Sequence, residues 1–180
     1  MAKSKEYINP VRPRDISDII SEEVATSSAD FLPGTLCVKD DDGLLVKCDP
    51  QGDATHRVRA PFILWIDLST RADADFVDKD GNDRKQATCL SQEFIGYVNE
   101  AELFSTTSNN IASTLNAATR GDLVLRSLED PGKFMALTPT EIDGEVTATN
   151  FTQTELALMI VGQVEDAANS SGFVKVRFQL

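Results

Sequence analysis

The chain has 180 residues, 41% of them hydrophobic, and a formal net charge of −12, which suits one domain with a buried core. So acidic a body repels nucleic acid and anionic lipid, and its longest apolar run, Leu156 to Gly162, is far short of the ~20 residues that span a bilayer. No apolar stretch follows Lys3 and Lys5 in "MAKSKEYINP", so no secretory signal is read there, and a soluble protein made in a cytoplasm is expected, with neither nucleic acid nor membrane as partner.

Residues 1–30 differ from the rest. Up to Arg14, Lys3, Lys5, Arg12 and Arg14 stand against Glu6 alone, so a basic segment precedes a strongly acidic body. Pro10 and Pro13 favour extended backbone and block a helix. In "DISDIISEEV", Asp15 or Ser17 can cap a short amphipathic helix with Ile16, Ile19 and Ile20 at helical spacing, and "ATSSAD" reads as loop. The expectation is an extended N-terminal arm over 1–30 leading into a domain over 31–180.

From Phe31 the punctuation is that of a mainly β chain. Strands are predicted over 35–40, 44–49, 62–68, 93–98, 122–127, 133–137, 155–165 and 173–179. Turn sequences such as "DDDG", "DPQGD", "EDPG" and "NSSG" separate most of them. Such spacing implies a compact β-barrel or sandwich-like domain. One short helix is predicted over about 109–119, capped by Ser108 or Asn109, with Ile111, Leu115 and Ala118 on one face and Gly121 as its stop. "PFILWIDL" and "LALMIVG" are apolar on both faces and are placed in the middle of the sheet system. In "FVKVRFQL", Val174, Val176 and Phe178 define one buried face.

The first hairpin can be registered by hydrophobic alternation. A two-residue turn at Asp42-Gly43 would set Val38 against Lys47 and Lys39 against Val46, mixing charge with apolar side chains on each face. A three-residue loop, Asp41-Asp42-Gly43, with Gly43 left-handed, sets Val38 against Val46 and Leu36 against Cys48. That register puts Cys37 and Cys48 on opposite faces and disfavours a disulfide between them. With three cysteines, no C-x-x-C and His56 as the lone histidine, in a polar loop, reduced thiols are expected rather than a zinc site. Calcium loops built on Gly43 or Gly81 lack their first acidic ligand. These acids are read as turn caps, with a looser cation site around Asp73, Asp75, Asp78 and Asp80 as the alternative. Nucleotide, nucleophile-elbow and zinc-protease signatures are absent, and one histidine without a partner is a poor general base, so no cofactor and no enzyme are expected.

Two stretches point further. "FLPGTLCVKDDDGLLVKCD" opens the domain with Pro-Gly-Thr-Leu, a strand, an acidic turn and a strand. "ALMIVGQVEDAANSSGFVKVRFQL" closes it with Val-Gly-x-Val-x-x-Ala, a small polar turn and an alternating last strand. Together they resemble the head decoration (cement) proteins of tailed bacteriophages. The resemblance implies an N-terminal arm, a compact β-barrel-like body and a non-catalytic role on the outer capsid surface. The implied partner is the major capsid protein, with self-association as a trimer or dimer, and the location is the virion, after synthesis in the host bacterial cytoplasm. The arm residues Tyr7, Ile8, Val11, Arg12, Arg14 and Ile16 become the candidate capsid-binding set, as an extended arm can add a strand to a neighbour's sheet edge. The alternatives are another β-rich phage part (head–tail connector, tail or fibre) or a β-barrel enzyme or binder with a pocket at Trp65, Asp67 and "RADAD".

Overall fold

The computed structural model describes residues 8–13, 19–24, 32–65, 76–77, 81, 83–106, 117–142 and 152–180. They build two sheets. Five strands, β2 (Ile19–Val24), β3 (Leu36–Lys39), β4 (Leu45–Lys47), β5 (Phe62–Leu64) and β7 (Asp83–Leu90), pair in the order β2-β4-β3-β5-β7, and β7 pairs back with β2 to close a barrel. β6 (Phe76–Val77) lies on the far part of β7. The second sheet is open and antiparallel. Its order is β1-β8-β12-β11-β9-β10, from β1 (Ile8–Pro13), β8 (Glu93–Asn99), β9 (Leu123–Arg126), β10 (Phe134–Leu137), β11 (Ile160–Asp166) and β12 (Phe173–Gln179). The mainly β, barrel-containing class read from the sequence is what the chain adopts.

The first hairpin shows how side-chain period sets the architecture. Cys37 pairs with Lys47, Val38 with Val46 and Lys39 with Leu45, the register that alternation selected. Gly43 has φ +82°, the left-handed residue that such a loop needs. Both hairpin faces are nonetheless buried, because each looks into a different core. Cys37 and Leu45 join Val24, Leu64, Ala87 and Cys89 in a cluster supplied by all five barrel strands, which makes it the barrel interior. Leu36, Val38 and Cys48 face outward from the barrel, with Ile63 and Leu90, onto Phe94, Val124, Phe134, Val164, Val176 and Phe178 of the open sheet. The same logic explains "PFILWIDL": β5 sits between β3 and β7, with Ile63 in the inter-sheet core and Leu64 inside the barrel.

Gly132 stitches the two sheets. Its N–H donates to the Cys48 carbonyl at 2.8 Å, and its own carbonyl accepts from Leu36 N–H at 2.7 Å. At φ +84°, with Thr35 Cγ2 only 2.8 Å from where a Cβ would stand, the position excludes a side chain.

Several elements depart from the sequence reading. The strand expected over 155–165 is a helix, α2 (Gln153–Met159), followed by β11 from Ile160. Thr152 and Glu155 form a capping box: Thr152 Oγ1 accepts from the Glu155 N–H at 3.1 Å, and Glu155 Oε2 accepts from the Thr152 N–H at 2.8 Å. Leu156 and Met159, one helical turn apart, then pack with Leu125, Met135 and Leu137 on the outer face of β9 and β10. Ile19 and Ile20, expected in a helix, begin strand β2 instead. Their fit to β7, from Ile19 opposite Leu90 to Val24 opposite Lys85, outweighs the weak propensity of a two-turn helix. β7 itself had no predicted counterpart. Of the helix expected over 109–119, residues 109–116 lie outside the described set, and 117–119 are not helical. A four-residue helix, α1 (Glu100–Leu103), instead follows β8, capped by Asn99.

Candidate functional site

The candidate partner-binding residues fall on and around β1. Ile8, Val11 and Arg12 are β1 residues, whereas Tyr7, Arg14 and Ile16 lie outside the described residues. β1 runs antiparallel to β8 as the outermost strand of the open sheet, from Ile8 opposite Val98 to Pro13 opposite Phe94. The register breaks between Pro10 and Arg12, leaving Val11 without a partner on β8. The composition accounts for this, since proline cannot donate to a ladder and is tolerated at sheet edges and bulges. β2 then continues along β7, and β7 leads directly into β8. The two N-terminal strands therefore accompany one β7–β8 ribbon across both sheets.

A second constellation is buried and polar. Arg126 ends β9 at 2% exposure. Its Nη1 donates to the His56 carbonyl, and its Nη2 donates to the carbonyls of Arg59 at 2.7 Å and Leu158 at 3.4 Å. No carboxylate faces this guanidinium among the described residues, and its Nε has no acceptor. The neighbouring ionisable group is Cys48, whose thiol reaches toward the His56 carbonyl at 3.7 Å. Burial pushes the Cys48 thiol up to about 11, with Arg126 pulling in the opposite sense, and burial also lowers Arg126 itself. The sequence places His56 in a polar loop. It is buried in a 3-10 turn, Ala54–Arg57, and its Nδ1 accepts the Asp49 N–H at 3.0 Å while Nε2 faces Asp53 at 3.4 Å. The ring holds a turn together. No sequence signal marked Arg126, which reads as the last residue of an ordinary apolar strand.

Other polar clusters are also committed to structure. Ser105 Oγ donates to Asp130 Oδ2 at 2.7 Å and lies beside Ser127 Oγ, which in turn accepts the Asp130 N–H at 3.0 Å. These bonds shape the 127–130 turn. In the acidic turn, Asp40 Oδ1 accepts from the N–H groups of Asp42 and Leu44, and Asp41 pairs with Arg59. Asp40 thus fills the capping role expected of a turn acid, whereas Asp41 is held in an ion pair. Among the described residues no three His, Cys, Asp or Glu side chains are grouped to hold a metal ion. All four acids of the looser cation site, Asp73, Asp75, Asp78 and Asp80, lie outside the described residues, as do Asp67 and the "RADAD" loop of the pocket reading, while Trp65 packs against the inter-sheet core.

The outward face of β11 and β12 carries an ion network. Glu165 accepts from Lys175 Nζ at 2.9 Å and from Arg177 Nη2 at 2.6 Å. Hydrogen bonds from Lys175 and then Arg177 hold its carboxyl below the usual range. With Arg120, Gln163 and Gln179 these residues line an open groove of about 510 Å³. Cys37, Cys48 and Cys89 are buried thiols outside any disulfide, with Cys37 and Cys89 facing the barrel interior and Cys48 the inter-sheet core. No family model and no curated protein matches this chain, so the geometry above and the sequence itself are what bear on its role.

Proposed function

We propose that the chain is a non-catalytic virion structural protein, a decoration or cement protein that binds the outer surface of a tailed-phage capsid and stabilises it. Its partner on this reading is the major capsid protein, and further copies of the chain add avidity on a symmetric shell. One observation carries the reading. The two stretches that resemble decoration proteins, at opposite ends of the domain, are two hairpins that share a core: Leu36, Val38 and Cys48 of the first lie in one cluster with Val161, Val164, Val174, Val176 and Phe178 of the second. They thus belong to one structural unit, as a family pattern requires and two unrelated matches do not. The edge position of β1 supports the assignment of Ile8, Val11 and Arg12, with Tyr7, Arg14 and Ile16, to capsid contact, because an outermost strand is where main-chain hydrogen bonds to a neighbour are added.

The test is sedimentation with capsids that lack their decoration protein. Saturable co-sedimentation, with a higher capsid melting temperature, is the expected result. An Arg12→Glu, Arg14→Glu chain should bind at least several-fold more weakly with its own circular dichroism unchanged. If the folded wild-type chain stays in the supernatant at every ratio tried, the proposal fails.

A further inference from the structure

The inter-sheet core holds rings at Phe94, Phe134 and Phe178 but only methyl groups where Ala118 and Ala136 stand. Phe104 joins the free edge of β10 through a parallel bridge to Phe134, its ring 5.7 Å from the Phe134 ring, and the Ser105 N–H donates to the Phe134 carbonyl at 2.8 Å. Next to this bridge a cavity of about 310 Å³ opens from the surface onto the core. Phe104, Ala118 and Ala136 belong both to its lining and to the core cluster. On its wall stands Glu100, the first residue of α1. The Glu100 N–H donates to the Gly172 carbonyl at 2.9 Å, and Glu100 Oε1 accepts the Ala118 N–H at 2.7 Å, so the carboxyl group is fixed against the cavity. Its Oε2 has no hydrogen-bond partner among the described residues. Of the described residues that line the cavity, Glu100 is the only ionisable one, and the Ser105 hydroxyl is already committed to Asp130.

We infer that this cavity is a binding site for a small organic cation, a primary ammonium that carries one aromatic ring. Volume sets the size of the ligand. An apolar cavity of about 150 Å³ admits a benzene molecule, so this one has room for a ring and a short arm. The lining sets the character of its body. Phe104 is an aromatic wall against which a ring packs offset or edge-on, and the alanines leave the space that such a ring fills. The carboxylate sets the head group. It only accepts hydrogen bonds, so the ligand must donate, and a charged donor makes a stronger bond to Oε2 than a neutral one. An anionic head is repelled at the same place. A mainly apolar lining with one placed polar group is the ordinary make-up of a small-molecule site. This inference does not rest on the capsid reading, and its test involves no capsid.

The full-length chain, labelled with ¹⁵N, is titrated with 2-phenylethylammonium chloride and followed by its amide shifts. Saturable shifts are expected at Ala101, Phe104, Ala118 and Ala136, with a Kd on the order of 1 mM. 3-Phenylpropionate has the same ring and the opposite charge and should leave these amides unmoved. Butylammonium has the head without the ring and should bind several-fold more weakly. Glu100→Gln keeps an acceptor for the Ala118 N–H but removes the charge, and should weaken phenylethylammonium binding about tenfold with the melting temperature unchanged. Ala136→Val narrows the cavity and should abolish binding, and Glu100→Gln decides the question should that variant unfold. The inference is overturned if no saturable shift reaches these amides up to the solubility limit of the ligand. Equal affinity for the ammonium and the carboxylate, or binding unchanged in Glu100→Gln, also overturns it.

Discussion

The barrel interior and the inter-sheet core are both fully buried, yet they are filled in opposite ways. Among the described residues, those inside the barrel are Val24, Cys37, Leu45, Leu64, Ala87 and Cys89, with no aromatic ring fully enclosed. Between the sheets are Phe94, Phe134 and Phe178, with Phe94 stacked on Phe178 at 4.7 Å and Phe134 tilted against Phe178 at 5.5 Å. Five short strands closed on themselves enclose little volume, so only small and medium side chains fit. An outer wall facing an open sheet has no such limit and takes the large rings. The thiols in the barrel are thus space-fillers of the right size, and the question of a redox or metal device reduces to one of volume.

This contrast can be broken from either side. Phe178→Ala removes a ring from the inter-sheet core and should cost about 3–5 kcal/mol, read as a drop in urea midpoint with the slope unchanged. A smaller loss would mean that the sheets close over the gap. Cys89→Leu enlarges a residue in the barrel and should cost on the order of 1–3 kcal/mol through overpacking, whereas an equal enlargement in a roomy cavity would be neutral. The smallest effect belongs to the solvated face of the open sheet. Glu165 has a lowered folded-state pKa, so its ion pairs stabilise the fold above the ordinary carboxyl range, and that contribution disappears as pH falls through the lowered value. The melting-temperature gap between wild type and Arg177→Ala should therefore be constant near neutrality and close in acid. A gap that persists to low pH would assign it to packing rather than charge.

What the sequence disclosed follows the same division. The first hairpin was legible to the residue, because alternation and one glycine leave a single register for Val38 and Val46. β12 was legible for the same reason. β7 was not: its inward residues include Ala87 and Cys89, small side chains that give a weak alternating signal among Asp83, Arg84, Lys85 and Gln86. α2 was mistaken for strand because Leu156 to Gly162 is apolar at every position, where period cannot discriminate. The deciding signal was Thr152-x-x-Glu155 just before it. For the candidate site, the prolines announced the extended backbone of β1, but its partner β8 lies some eighty residues away and no local pattern encodes that pairing. Arg126 was invisible for a related reason, since its acceptors are main-chain carbonyls from distant segments.

That last residue has a kinetic consequence. One guanidinium joins the turn at His56 and Arg59 to the C-terminal part of α2 at Leu158, and neither can detach without leaving the charge short of acceptors in a buried site. The two segments should behave as one opening unit with the end of β9, and their slowest amide protons should exchange with a common free energy.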